Sequence, residues 1–128
     1  MKVQDVEQLD YLHDALLKKI TFASTDKNKN LLMNVICDDD CGYPDWCGKK
    51  LVVTFSNVVR ASGTLLGHIT GYDTVQSLDE GASEDMKEGL RQLSEMGIVP
   101  PQIIRRLILH SGSELEIACD SIDVGPDE

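Results

Sequence analysis

The spacing of apolar residues divides the chain into several short extended runs and one amphipathic segment. Val6, Leu9 and Leu12, with Tyr11 and His13 between them, suit a short helix or turn over residues 5–14. From Leu16 the pattern becomes extended. Leu16, Ile20 and Phe22 alternate with Lys19, Thr21 and Ala23, and the turn-forming run Thr25-Asp26-Lys27-Asn28-Lys29-Asn30 follows. A return strand, Leu31 to Cys37, places Leu31, Met33, Val35 and Cys37 on one face and stops at Asp38-Asp39-Asp40. Residues 38–48 hold two glycines, one proline and no periodicity, the composition of a loop. Lys50 to Val59 is β-branched and aromatic, with Leu51, Val53 and Phe55 opposed to Val52, Thr54 and Ser56.

Gly63, Gly67 and Gly71 recur at every fourth position of an extended run to Tyr72, which leaves one face nearly bare. Such a face implies a close backbone approach or a bend. The run lacks a Gly-Lys-Ser/Thr ending and a dinucleotide fingerprint, so it is not a phosphate cradle. Ser83 to Met96 reads as a helix. Ser83 suits the N-cap, Glu84 and Asp85 complement the positive end of the dipole, Met86, Leu90 and Leu93 form the stripe, and Gly97 fits the position after the cap. Pro100-Pro101 prevents continuation. Ile103 to His110 and Glu114 to Val124 then form a hairpin around Gly112-Ser113, read as a type II′ turn. Ile122 and Val124 fall on the opposite parity from Leu115, Ile117 and Cys119, which predicts a bulge near Asp120-Ser121. The sum is a single α+β domain over residues 1–128: a mostly antiparallel, curled sheet of five to six strands, one main helix near residues 83–96 and a short N-terminal helix or turn.

Composition narrows the function classes. At 128 residues there is room for one hydrophobic core, and no apolar run reaches the length of a membrane helix. Acids near the N-terminus, Asp5 and Glu7, stand where an export signal would be basic and then apolar, so a cytoplasmic, soluble protein is expected. The formal charge of −10 disfavours a nucleic-acid partner, because that affinity comes from Lys and Arg displacing counterions. Residues 1–72 hold eight Lys/Arg against nine Asp/Glu, and residues 73–128 hold four against thirteen, so the acidity is concentrated in the second part. A field of that kind steers association with a basic protein.

Candidate chemistry is sparse. Cys37, Cys41 and Cys47, with Cys119 elsewhere, are expected as thiols in a reducing compartment. Three loop thiolates plus a distant His13, His68 or His110 could hold zinc, but the Cys-x3-Cys-x5-Cys spacing is not that of a zinc knuckle, and no metal or other cofactor is assigned. Asp38-Asp39-Asp40 before Gly42 lacks the alternate acids of a calcium loop and reads as a solvated turn. Neighbouring residues diverge in helices and strands, so Asp14 is not expected to orient the His13 imidazole. No hydrolase or protease signature is present, and no catalytic residue is assigned. Trp46 beside Tyr43 and Pro44 is either an interface anchor or a cover for a sheet edge.

Leu12-His13-Asp14-Ala15 leading into Leu17-x2-Ile20-x-Phe22, then Val53-x-Phe55-x2-Val58, and Ser111-Gly112-Ser113-Glu114-Leu115-Glu116-Ile117-Ala118-Cys119-x2-Ile122-x-Val124 carry a resemblance. The chain resembles a widespread group of small bacterial domains with immunity-protein-like members found beside polymorphic toxins. The resemblance implies a β-rich α+β fold, no catalytic residues, and, for some members, neutralisation of a toxin by tight binding, with His13 and Asp14 as a signature pair. The expectation is therefore a non-enzymatic binding protein whose acidic second half meets a basic toxin. Its interaction candidates are His13, Asp14, Asp38, Asp39, Asp40, Tyr43 and Trp46. The alternatives are a metal-dependent or thiol enzyme using Cys37, Cys41, Cys47 and a histidine, and a self-associating domain forming a homodimer.

Overall fold

The computed structural model describes residues 11–24, 29–64, 73–99, 101 and 103–127. In chain order its elements are β1 (Leu16–Ser24), β2 (Lys29–Ile36), β3 (Lys50–Ser56), β4 (Arg60–Thr64), β5 (Asp73–Glu80), α1 (Glu84–Glu95), β6 (Ile103–Leu109), β7 (Glu114–Cys119) and β8 (Ser121–Pro126). The strands form one open sheet in the order β4-β7-β6-β5-β1-β2-β3-β8, antiparallel at every pairing, with β4 and β8 at its edges.

The protein is thus mainly β, with eight strands and one helix among the described residues. This corrects the expected α+β fold with a curled sheet of five to six strands. Three departures raise the count. The run predicted over residues 50–59 ends at Ser56, and β4 begins at Arg60. The run over residues 114–124 divides at Asp120 into β7 and β8. β5 lies where no strand was predicted. The two divisions face each other: Val59 N–H donates to Ala118 O at 2.8 Å and Asp120 N–H to Ser56 O at 3.0 Å. The β3–β8 ladder therefore passes into the β4–β7 ladder across one shared break, and the predicted bulge near Asp120-Ser121 takes the form of that break.

One face of the sheet carries the core, with Leu31, Met33, Val53, Phe55, Leu107 and Ile117 all buried. A register shift between Leu17 and Lys19 keeps Leu17, opposite Val35, and Phe22, opposite Leu31, on the core face; Leu17 is buried, and Phe22, near the far end of β1, is 60% exposed. α1 packs against β4. Ser83 caps it, accepting from Met86 N–H at 3.2 Å, and Glu116 Oε2 on β7 accepts the Ser83 N–H at 2.6 Å. A side chain at Gly89 would meet the Arg60 guanidinium, so glycine lets the helix lie on that arginine. Gly63 has the close backbone approach its spacing predicted, since a Cβ there would stand 2.0 Å from Glu114 O.

The β6–β7 connection is His110-Ser111-Gly112, closed by Leu109 N–H to Ser113 O and Gly112 N–H to Leu109 O, both 2.9 Å. Gly112 has φ +95°, so this is a three-residue loop ending on a left-handed glycine, not the predicted two-residue turn. Residues 5–10 of the predicted N-terminal element, the tip of the first hairpin at 25–28 and most of the glycine run, residues 65–72, lie outside the described residues. No helix among the described residues is long and apolar enough to cross a membrane.

Candidate functional site

Strand register brings distant segments to one end of the sheet. Leu16, the first residue of β1, faces Ile36, the last of β2, and Ile36 in turn faces Lys50, the first of β3. Leu16 also faces Thr74, while Val75 faces Leu109 at the end of β6. The turn before β1, the loop from β2 to β3 and the β6–β7 tip therefore emerge together.

The turn before β1 is Leu12-His13-Asp14-Ala15, closed by Ala15 N–H to Leu12 O at 2.9 Å. Leu12 and Ala15 are fully buried and anchor it. Asp14, at φ +65°, adopts the left-handed conformation that a short polar side chain tolerates, and its N–H donates to Val75 O at 2.7 Å. This turn overturns the expectation that Asp14 and His13 diverge. Asp14 Oδ2 stands 3.0 Å from His13 Nδ1, and Asp14 Oδ1 stands 3.2 Å from His110 Nε2 on the β6–β7 tip. One carboxylate thus joins two imidazoles. His13 is 62% exposed, Asp14 46% and His110 47%. Beside His110, the Ser111 hydroxyl donates to Ser113 Oγ at 3.1 Å.

The loop from β2 to β3 folds back on itself. Asp38 O accepts from Cys41 N–H at 3.3 Å and Gly48 N–H at 3.2 Å, and Lys49 O accepts from Cys37 N–H at 3.0 Å. Asp38, Asp39 and Asp40 are exposed on this frame, as are Asp45, Lys49 and Lys50. Trp46 is 5% exposed and belongs to the core cluster. Tyr43 packs edge-on against Trp46 at 4.8 Å and stacks on Tyr11 at 5.4 Å, which ties the loop to the His13–Asp14 turn.

Three thiols lie within this loop. Cys41 Sγ and Cys47 Sγ are 3.1 Å apart, and each donates to Tyr43 O, at 3.4 and 3.3 Å. Burial, with the neighbouring Cys41 and Cys47, pushes the Cys37 thiol up to about 12. Burial, then the Cys47 contact, raises Cys41 as well. Across the sheet, burial lifts Cys119 to about 11 despite the opposing charge of Arg105.

The thiols thus gather with one another, and the described histidines gather with Asp14. Among the described residues no group of three or more His, Cys, Asp or Glu is arranged to hold a metal ion. His68, the third histidine, lies outside them. The interaction candidates His13, Asp14, Asp38, Asp39, Asp40, Tyr43 and Trp46 fall at the same end of the sheet, with Trp46 packed inward. Sequence reasoning missed Tyr11 and His110 as members of this end. The hairpin prediction alone gave a signal for His110, by placing it next to a turn. No family model, curated protein or solved structure matches the chain.

Proposed function

We propose that the chain is a non-enzymatic binding protein of the cytoplasm that recognises a basic protein through the acidic end of its sheet. The observation that carries this reading is the meeting of Asp14 with Asp38, Asp39 and Asp40 at one end. Their side chains are exposed on hydrogen-bonded backbone anchored by buried Leu12, Ala15, Cys37 and Trp46. Carboxylates on a backbone already held in place need only their side chains ordered on binding, so less of their attraction for Lys and Arg is spent on ordering.

The net charge of −10 adds long-range steering. Four of the second part's thirteen acids lie on α1, where Glu84 pairs with Lys87 and Glu88 and Glu95 pair with Arg91. That local neutralisation favours the loop end over the exposed face of α1. The exposure of His13, Asp14 and His110 also favours recognition over catalysis, since acid–base groups open to water lack the enclosed, preorganised field that makes such groups effective. The resemblance to immunity-protein-like domains suggests a basic toxin as the partner.

The test is affinity capture from the source cell at low ionic strength. The immobilised chain is expected to retain a basic protein that elutes with salt, and an Asp38→Asn/Asp39→Asn/Asp40→Asn variant is expected to release most of it. Equal retention by the variant, or capture of small molecules alone with turnover, contradicts the reading.

A further inference from the structure

We infer that Cys41 and Cys47 form a thiol–disulfide exchange site, taking a low-molecular-weight disulfide as substrate and closing a reversible bond within the loop. The contact of 3.1 Å between the two sulfurs is already inside the separation of unbonded sulfur atoms, and about 1 Å of approach completes a disulfide. Both thiols point at one acceptor, Tyr43 O, which holds them side by side. Both are half-buried, open enough for a small reagent, whereas Cys37 and Cys119 are buried in the core.

The chemistry balances with the reagent as oxidant. One cysteine loses its proton to solvent, and its thiolate attacks a sulfur of the disulfide, breaking that bond, expelling one small thiolate and leaving a mixed disulfide. The second cysteine, deprotonated in turn, attacks the protein sulfur of the mixed disulfide and expels the other small thiolate. Two cysteine thiols and one disulfide become one protein disulfide and two small thiols, with two electrons passing to the reagent. Cys37 stays out of the exchange because it is buried in the core, where a small reagent does not reach its sulfur. Trp46 lies one residue from Cys47 and is the only tryptophan, so its emission reports closure. The site does not depend on the acidic end binding a partner.

The experiment treats the whole chain with oxidised glutathione, counts free thiols after unfolding, and maps the linked peptides. The expected result is a fall from four free thiols to two, a Cys41–Cys47 link, quenched Trp46 emission, and full reversal by dithiothreitol. Cys41→Ser and Cys47→Ser should each stop at a stable mixed disulfide on the remaining cysteine. Pairing through Cys37 or Cys119, links only between chains, or an unreacted wild-type pair overturns the inference.

Discussion

Cys37 and Cys119 are the residues whose environments most directly give a pH dependence. Burial holds both as thiols, at about 12 and about 11 against an ordinary value of 9.0. An unfolded chain ionises them near 9.0 and the folded chain does not, so their contribution is complete below that pH and drains away as pH rises toward about 11 for Cys119 and about 12 for Cys37. The slope is roughly 1.4 kcal/mol per pH unit for each thiol. Denaturant titrations of wild type and Cys119→Ala should show a shallower alkaline loss in the variant, and parallel curves would refute the assignment. Asp14 is testable at the same scale. Asp14→Asn keeps a side chain that tolerates φ +65° and should preserve stability to within about 0.5 kcal/mol. It should nonetheless shift the His13 and His110 imidazole resonances, because the shared carboxylate is gone. Asp14→Ala should cost about 1 kcal/mol more, for the backbone strain.

At the scale of elements, the helix was legible because its signals are local. Ser83, the acids after it, the apolar stripe and Gly97 lie within one short stretch, and Ser83→Ala should cost about 1 kcal/mol in thermal or chemical unfolding. β5 was not legible, because a register shift between Val75 and Ser77 breaks its alternation and leaves Val75 and Leu78 three residues apart. The break at Asp120 was announced by the parity switch between Cys119 and Ile122, whereas the division at residues 57–59 was hidden. Val58 and Val59 carry the apolar run past Ser56, and the end of β3 becomes plain only once the opposite strand is in place. Gly63 shows the converse, a spacing whose cause could be named in advance. Its approach to the Glu114 carbonyl leaves no room for a methyl group, and backbone cannot step aside as a flexible side chain would. Gly63→Ala should therefore destabilise by about 2 kcal/mol, and a neutral effect would mean that β4 and β7 are not so closely paired.

For the whole molecule, the sheet gathers what the sequence scatters. His110 and Asp14 are 96 positions apart, and nothing in either neighbourhood announces the other. Only the two-strand bridge from β1 to β5, and from β5 to β6, sets the first turn beside the last hairpin. The acidic loop joins them through the Tyr11–Tyr43 stack, a contact that residue spacing could not foretell. The result is one end of the sheet that carries exposed charge on a hydrogen-bonded backbone over an apolar core, a construction suited to meeting a charged surface. The most direct measurement of that claim is calorimetric titration of the captured partner across a range of salt concentrations, with wild type and the Asp38→Asn/Asp39→Asn/Asp40→Asn variant in parallel. Wild-type affinity should weaken by about tenfold or more as salt screens the exposed carboxylates, with a flatter dependence for the variant. Binding that ignores salt, or is equally strong in both proteins, would contradict the account.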